Sequence, residues 1–141
     1  MKSTLKIIVI ALFTTLISCG ETPKKEEATA NPYSMQAVMA VHDEIMPKMG
    51  QIAKLSGQLK PLADANPEGP EAAVVMALKE SHDAMMTWMK EIGETFTHEE
   101  IMKGAKLSEQ KKEALKLEAE KIAEVKRLML ESIAKAEALL Q

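Results

Sequence analysis

Residues 42–49 read HDEIMPKM, and residues 82–89 read HDAMMTWM. Both spell H-D-x-x-M-x-x-M, forty positions apart. Each phrase lies mid-way along a stretch of helical periodicity and puts a histidine and several methionines on the apolar face. Around the first phrase the pattern is a heptad. One position carries Met35, His42, Met49 and Ser56, the next Val38, Ile45, Ile52 and Leu59, and a flanking one Met39, Met46 and Ala53. The opposite face is Gln36, Ala40, Asp43, Glu44, Gln51 and Lys54. An amphipathic helix from about Tyr33 to Lys60 follows.

Pro47 stands inside this helix. A proline there removes one hydrogen bond and bends the axis. The apolar pattern continues across it, so the spacing predicts a kink and not a break. At ~100° per residue Pro47 falls opposite the apolar face, where water can reach the freed carbonyl of Asp43.

Pro61 to Pro70, PLADANPEGP, is a turn region. A second helix is predicted from Pro70 to Glu94, with Pro70 in its first turn and Glu71 complementing the dipole. Its stripe is Val75, Leu78, His82, Met85, Met86, Met89 and Ile92. Trp88 is placed at the edge of that stripe, its N–H toward water. Thr97 and Glu100 form a capping box for a short turn that ends at Gly104. Ser108 caps a last helix, Glu109 to Leu140, whose stripe is Leu115, Ala119, Ile122, Val125, Met129, Ile133, Ala136 and Leu140. Its other faces hold the pairs Glu109–Lys112, Glu113–Lys116, Glu118–Lys121, Glu124–Arg127 and Glu131–Lys135, read as a solvated surface in which each pair adds a few tenths of a kcal/mol, roughly. At about 1.5 Å per residue this helix spans roughly 50 Å, more than the second, so an end must overhang or pack elsewhere. No strand signal is present. The expected fold is all-α, an antiparallel three-helix bundle over residues 33–141 with a short extra helical turn.

The start of the chain reads as a targeting segment. Lys2 and Lys6 precede an apolar run, and Leu16-Ile17-Ser18-Cys19 matches a bacterial lipobox. Residues 1–18 are then a lipoprotein signal peptide and Cys19 carries the lipid. The apolar run is short for a permanent spanning helix. Residues 19–32 form the lipidated cysteine and a polar, proline-containing tether that holds the domain roughly 20 Å from the bilayer. Gly20 is not the aspartate that retains lipoproteins at the inner membrane, which points to the outer membrane. Lys25-Glu26-Glu27 resembles a short surface-export signal, so periplasmic and surface exposure both stay open.

Composition bounds the function. Without Lys2 and Lys6 the mature chain has 16 basic against 21 acidic residues, a charge of −5. That acidity excludes a nucleic-acid partner, which selects basic surfaces. Cys19 is the one cysteine, so no disulfide forms within the chain and stability must come from packing. Membrane lipid, reached through Cys19, is the expected partner. A protein partner is unspecified, and a second copy of the chain is among the candidates.

If the first two helices fold back about residue 65, His42 comes level with Met89 and Met49 with His82. Ile45 and Met46 then meet Met85 and Met86 between them. The simplest reading is packing: methionine is a pliable core filler in a chain with 11 methionines and few aromatics. The rival is a soft-metal site for Cu(I) or Ag(I) made by His42, Met46, Met49, His82, Met85, Met86 and Met89. Haem b held by Met and His is a third reading, against which the tight bundle argues. No cofactor is required, copper being the alternative. His42-Asp43 and His82-Asp83 look like dyads, but neighbouring helical residues diverge by ~100° and are not expected to touch usefully. With no nucleophile motif, phosphate loop or anionic metal cluster, an enzyme is not expected.

VMAVHDEIMPKM followed by HDAMMTWM resembles a group of short bacterial lipoproteins of the Bacteroidetes type, some labelled viral A-type inclusion protein. The resemblance covers roughly residues 35–95. It implies a lipid-anchored helical protein and no particular activity, and the label implies no function shared with a virus. The expectation is a non-catalytic structural or interaction role in the cell envelope.

Overall fold

The computed structural model describes residues 31–141. The expected signal peptide, the expected lipidation site Cys19 and the expected tether up to residue 30 lie outside the described residues. The chain forms α1 (Met35–Ile45), a 3-10 turn (Met46–Lys48), α2 (Met49–Ala65), α3 (Pro70–Thr95), α4 (His98–Lys103) and α5 (Glu109–Leu139). Among the described residues there is no strand. The architecture is an all-α bundle of three long rods, the first being α1 and α2 joined through the 3-10 turn.

Local chemistry sets the ends. Ser34 accepts from the Ala37 N–H at 3.1 Å and starts α1. Gly69 and Pro70 open α3, with Glu71 in its first turn. The Thr97–Glu100 capping box is fully formed, and Gly104 ends α4 at φ 63°, a left-handed position suited to glycine. Ser108 accepts from the Lys111 N–H at 3.3 Å and starts α5.

At Pro47 the rod passes through a 3-10 turn between α1 and α2. Ile45, Met46, Lys48 and Met49 all keep right-handed helical dihedrals, and Met49 N–H bonds Met46 O in 3-10 fashion. A 3-10 residue turns ~120° against ~100° in an α-helix, so three of them rotate everything after them by roughly 60°. The buried line therefore runs Met35, Val38, Ile45 before the turn and Ile52, Leu55, Leu59, Ala63 after it. Leu55 enters the core where an uninterrupted heptad would put Ser56.

The first rod also runs further than expected. α2 continues through Pro61 to Ala65. Pro61 and Gly57 are both exposed, so the carbonyl that loses its donor faces water. Lys60 donates to Asp64 at 2.9 Å across the last turn, and the Asn66 N–H closes it on Leu62 O. Thus α1 through α2 covers the same 31 positions as α5. The long last helix has a partner along its length and no end need overhang.

Interhelical bonds define the direction of each rod. Lys126 reaches Glu44 at 2.7 Å and Gln51 reaches Glu137 at 2.8 Å, with sequence separations of 82 and 86. The near-constant separation makes the first rod and α5 parallel. The Ser81–Ser132 and Trp88–Glu118 bonds have separations of 51 and 30, shrinking toward the loop, as antiparallel α3 and α5 require. The order is up, down, up.

The seams of α3 and α5 differ from the expected stripes. Val74, Leu78, Ser81, Met85, Trp88 and Ile92 are buried on α3, spaced four and three in alternation. Leu115, Glu118, Ile122, Val125, Met129, Ser132 and Ala136 do the same on α5, and Ile133, which the expected stripe held, is buried beside them. Val75, His82, Met89 and Ala119 flank these lines half-buried, and Leu140 is exposed. A period of 3.5 counts Ser81, Glu118 and Ser132 as seam residues even though they are polar. Ser81 and Ser132 hydroxyls lie 3.1 Å apart, and each is also within hydrogen-bond distance of a carbonyl one turn back; with one proton each, one hydroxyl donates to its own helix and the other can donate across the seam. Small residues there let the two helices approach.

Of the expected surface pairs, Glu109–Lys112, Glu113–Lys116 and Glu124–Arg127 form. Glu131 takes Arg127 at 2.8 Å in place of Lys135. Glu118 pairs with Lys121 at 2.9 Å, but it is 5% exposed and not on a solvated face. Its Oε2 has no hydrogen-bond partner.

Candidate functional site

The two H-D-x-x-M-x-x-M phrases fall on the facing stretches of the first rod and α3, yet their side chains part company. His42 lies against the core, its side chain 15% exposed. Its ring stacks on Trp88, centroids 5.6 Å apart and planes 28° from parallel. Trp88 is 2% exposed and its indole N–H donates to Glu118 O at 3.2 Å. This corrects the expectation of a tryptophan at the stripe edge with its N–H in water. The 3.5-residue seam centres on Trp88, and a backbone carbonyl on α5 satisfies the donor, so the whole indole can be buried.

His82 is a surface residue, its side chain 45% exposed. It borders a cavity of about 160 Å³ with Ile52, Ala53, Ser56, Leu78 and Lys79. Those partners lie one helical turn beyond Met49, the expected counterpart. Because α2 runs on through Pro61, the hairpin turns within residues 66–69 and not at 65, which slides the levels by one turn. The methionines are equally divided in environment. Met85 is fully buried, Met86 is 48% exposed, and Met46, Met49 and Met89 pack half-buried against the core. Adjacent helical positions point about 100° apart, and Met85 and Met86 fall on opposite sides of the buried boundary.

The His–Asp pairs do touch, contrary to expectation. His42 Nδ1 and Asp43 Oδ1 are 2.9 Å apart, and His82 Nδ1 and Asp83 Oδ1 are 3.3 Å apart. The Cα–Cβ bonds diverge as expected, but rotation of each imidazole swings Nδ1 back to the following carboxylate. An ionised carboxylate only accepts, so Nδ1 is the donor in each contact. Lys79 first, then His82, holds the Asp83 carboxyl below its usual range. Among the described residues no hydroxyl or thiol hydrogen-bonds either imidazole. His98, in the first turn of α4, is exposed.

Among the described residues no three His, Cys, Asp or Glu side chains gather as a metal site. No described helix is long and apolar enough to cross a membrane. Ser81, Ser132 and Glu118 are the seam residues that the apolar pattern missed. The signal that finds them is the unbroken four-three spacing, in which polar residues count as seam positions. The chain matches no family model, no curated protein and no solved structure.

Proposed function

We propose that this chain is a lipid-anchored cell-envelope protein whose helical bundle has a non-catalytic structural or interaction role. The observation that carries the reading is Leu16-Ile17-Ser18-Cys19 ahead of a polar tether and a packed bundle. Acyl chains on Cys19 would supply the anchor, since each buried methylene contributes about 0.8 kcal/mol. An outer-membrane destination is consistent with Gly20 following the cysteine. The test is mass spectrometry of the membrane fraction after expression in a bacterial host. The wild-type chain should carry a diacylglyceryl-type modification on Cys19, and Cys19→Ala should leave the membrane fraction. Equal membrane retention of the variant would sink the reading.

A second reading, a soft-metal protein using the two phrases, is favoured by one detail: both Nδ1 atoms lie against carboxylates, the carboxylate–imidazole arrangement that orients a histidine to ligate through Nε2. Cu(I) titration against a chelating indicator, with His42→Ala and His82→Ala alongside, decides it. Stoichiometric binding lost in both variants supports the site, and no competition with the indicator ends it.

A further inference from the structure

A groove opens between α1 and α4, bordering the first repeated phrase only at Asp43. It encloses about 540 Å³ and is lined by Met35, Gln36, Met39, Ala40 and Asp43 from α1, by Ile101 and Met102 from α4, and by Gly104 at the end of α4. Three of its eight lining residues are methionines. Met35 and Met39 are four apart and so share one face of α1. Met102 arrives from a separate element. The capping box at Thr97 and the left-handed Gly104 hold α4 at its two ends. Glu100, on the same short helix, ties it to Lys111 of α5. Met102 itself is 66% exposed, so packing does not explain its thioether, and its three rotatable bonds leave the sulfur free to swing toward the groove.

We propose that this groove binds a soft monovalent cation, Cu(I) or Ag(I), through the thioethers of Met35, Met39 and Met102. Thioether sulfur is a soft neutral donor and discriminates against hard cations. The groove pairs that donor set with apolar walls from Ala40 and Ile101. The Asp43 carboxylate supplies negative charge at the rim without having to coordinate. Its Oδ1 is already engaged by His42 Nδ1 at 2.9 Å. The site uses no imidazole and none of the methionines in the repeated phrases. It therefore stands or falls independently of the readings above.

The test uses the full chain in detergent micelles with ¹³C-labelled methionine methyl groups, titrated with silver nitrate in chloride-free buffer. The methyl signals of Met35, Met39 and Met102 should move together and saturate near about one equivalent, while those of the core residues Met85 and Met129 stay in place. Leucine keeps the volume and removes the sulfur. Loss of one of three ligands in Met35→Leu, Met39→Leu or Met102→Leu should weaken binding by about tenfold or more. Met102→Leu changes an exposed side chain, so its helicity by circular dichroism should match the parent and loss of binding there cannot be ascribed to unfolding. Met76→Leu, an exposed methionine on α3 outside the groove, should bind as the parent does. Three stationary groove signals, or an equal loss in Met76→Leu, would overturn the proposal. So would shifts confined to Met46, Met49 and Met89 with the imidazole signals, which would place the ion at the repeated phrases.

Discussion

At the scale of single residues, the polar members of the α3–α5 seam are the informative ones. Ser81 and Ser132 each have a carbonyl of their own helix within reach as well as each other, so either hydroxyl can be satisfied without the other. Their value is therefore small size more than hydrogen bonding. Ser81→Ala should cost at most about 1 kcal/mol, whereas Ser81→Leu should cost about 1–3 kcal/mol by forcing the helices apart. Urea denaturation of the two variants checks the order, and equal losses would show that the hydroxyl matters most. Glu118 presents the opposite case. It is buried with one oxygen unpartnered, and its partner Lys121 also holds Glu91 at 2.6 Å. Replacing such a group with an apolar one is often neutral or stabilising. Glu118→Leu should leave stability unchanged or raise it by about 1–2 kcal/mol, measured as the shift in urea midpoint. A loss beyond that range in the opposite direction would mean the carboxylate has a structural task.

At the scale of elements, the two prolines of the first rod have different roles. The 3-10 turn at Pro47 rephases the apolar stripe by roughly 60°, and with it Leu55 joins Ile52 and Leu59 in the core where the unbroken heptad would put Ser56. Pro61 rephases nothing, because it stands on the exposed side of the last turns. An interior proline costs a helix about 3 kcal/mol. Pro61→Ala should therefore stabilise the protein by at least about 1 kcal/mol, while Pro47→Ala should give no such gain, because a regular helix there would turn the second half of the rod out of register. Equal stabilisation by both substitutions would show that the rephasing is incidental. The sequence pattern across Pro47 was legible as a kink because Ile45 and Ile52 both stay buried. Its 3-10 character was not, since Leu55 competes with Ser56 for the core only after the rotation.

At the scale of the whole molecule, stability rests on the seams. Fully burying a Leu, Ile or Met contributes about 1.5–3 kcal/mol, against a few tenths for an exposed ion pair. The pair that matters more joins elements: Glu100 caps α4 and binds Lys111, whose ammonium also sits 5.7 Å from the Phe96 ring centroid. Lys111 first, then the Thr97 backbone, holds the Glu100 carboxyl below its usual range. A depressed carboxyl stabilises the fold at pH values above its unfolded pKa of about 4.3, and that contribution is lost as pH falls through the folded value. The α4 clasp should thus hold at neutral pH and loosen in acid below about pH 4. Hydrogen exchange of the α4 amides, corrected for intrinsic rates, should show protection falling in that window for the parent and already reduced at pH 7 in Glu100→Gln. Unchanged protection in both conditions would remove the clasp.

The three long helices, the caps at Thr97, Gly104 and Ser108 and the up-down-up order were readable from the chain, because they depend on local chemistry: those caps act on their immediate neighbours, and short connections leave adjacent helices antiparallel. The repeated phrase was readable as a pair of facing helix segments. Its side-chain fates were not, because they depend on rotations and levels accumulated along the rod. The 3-10 turn at Pro47 and the run of α2 past Pro61 change both. Packing against α5 then puts Trp88 and Met85 inside and leaves His82 and Met86 out, a choice of about 100° that two similar phrases cannot encode. The Met35–Met39–Met102 groove likewise exists only because α4 folds back onto α1, bringing together residues more than sixty positions apart.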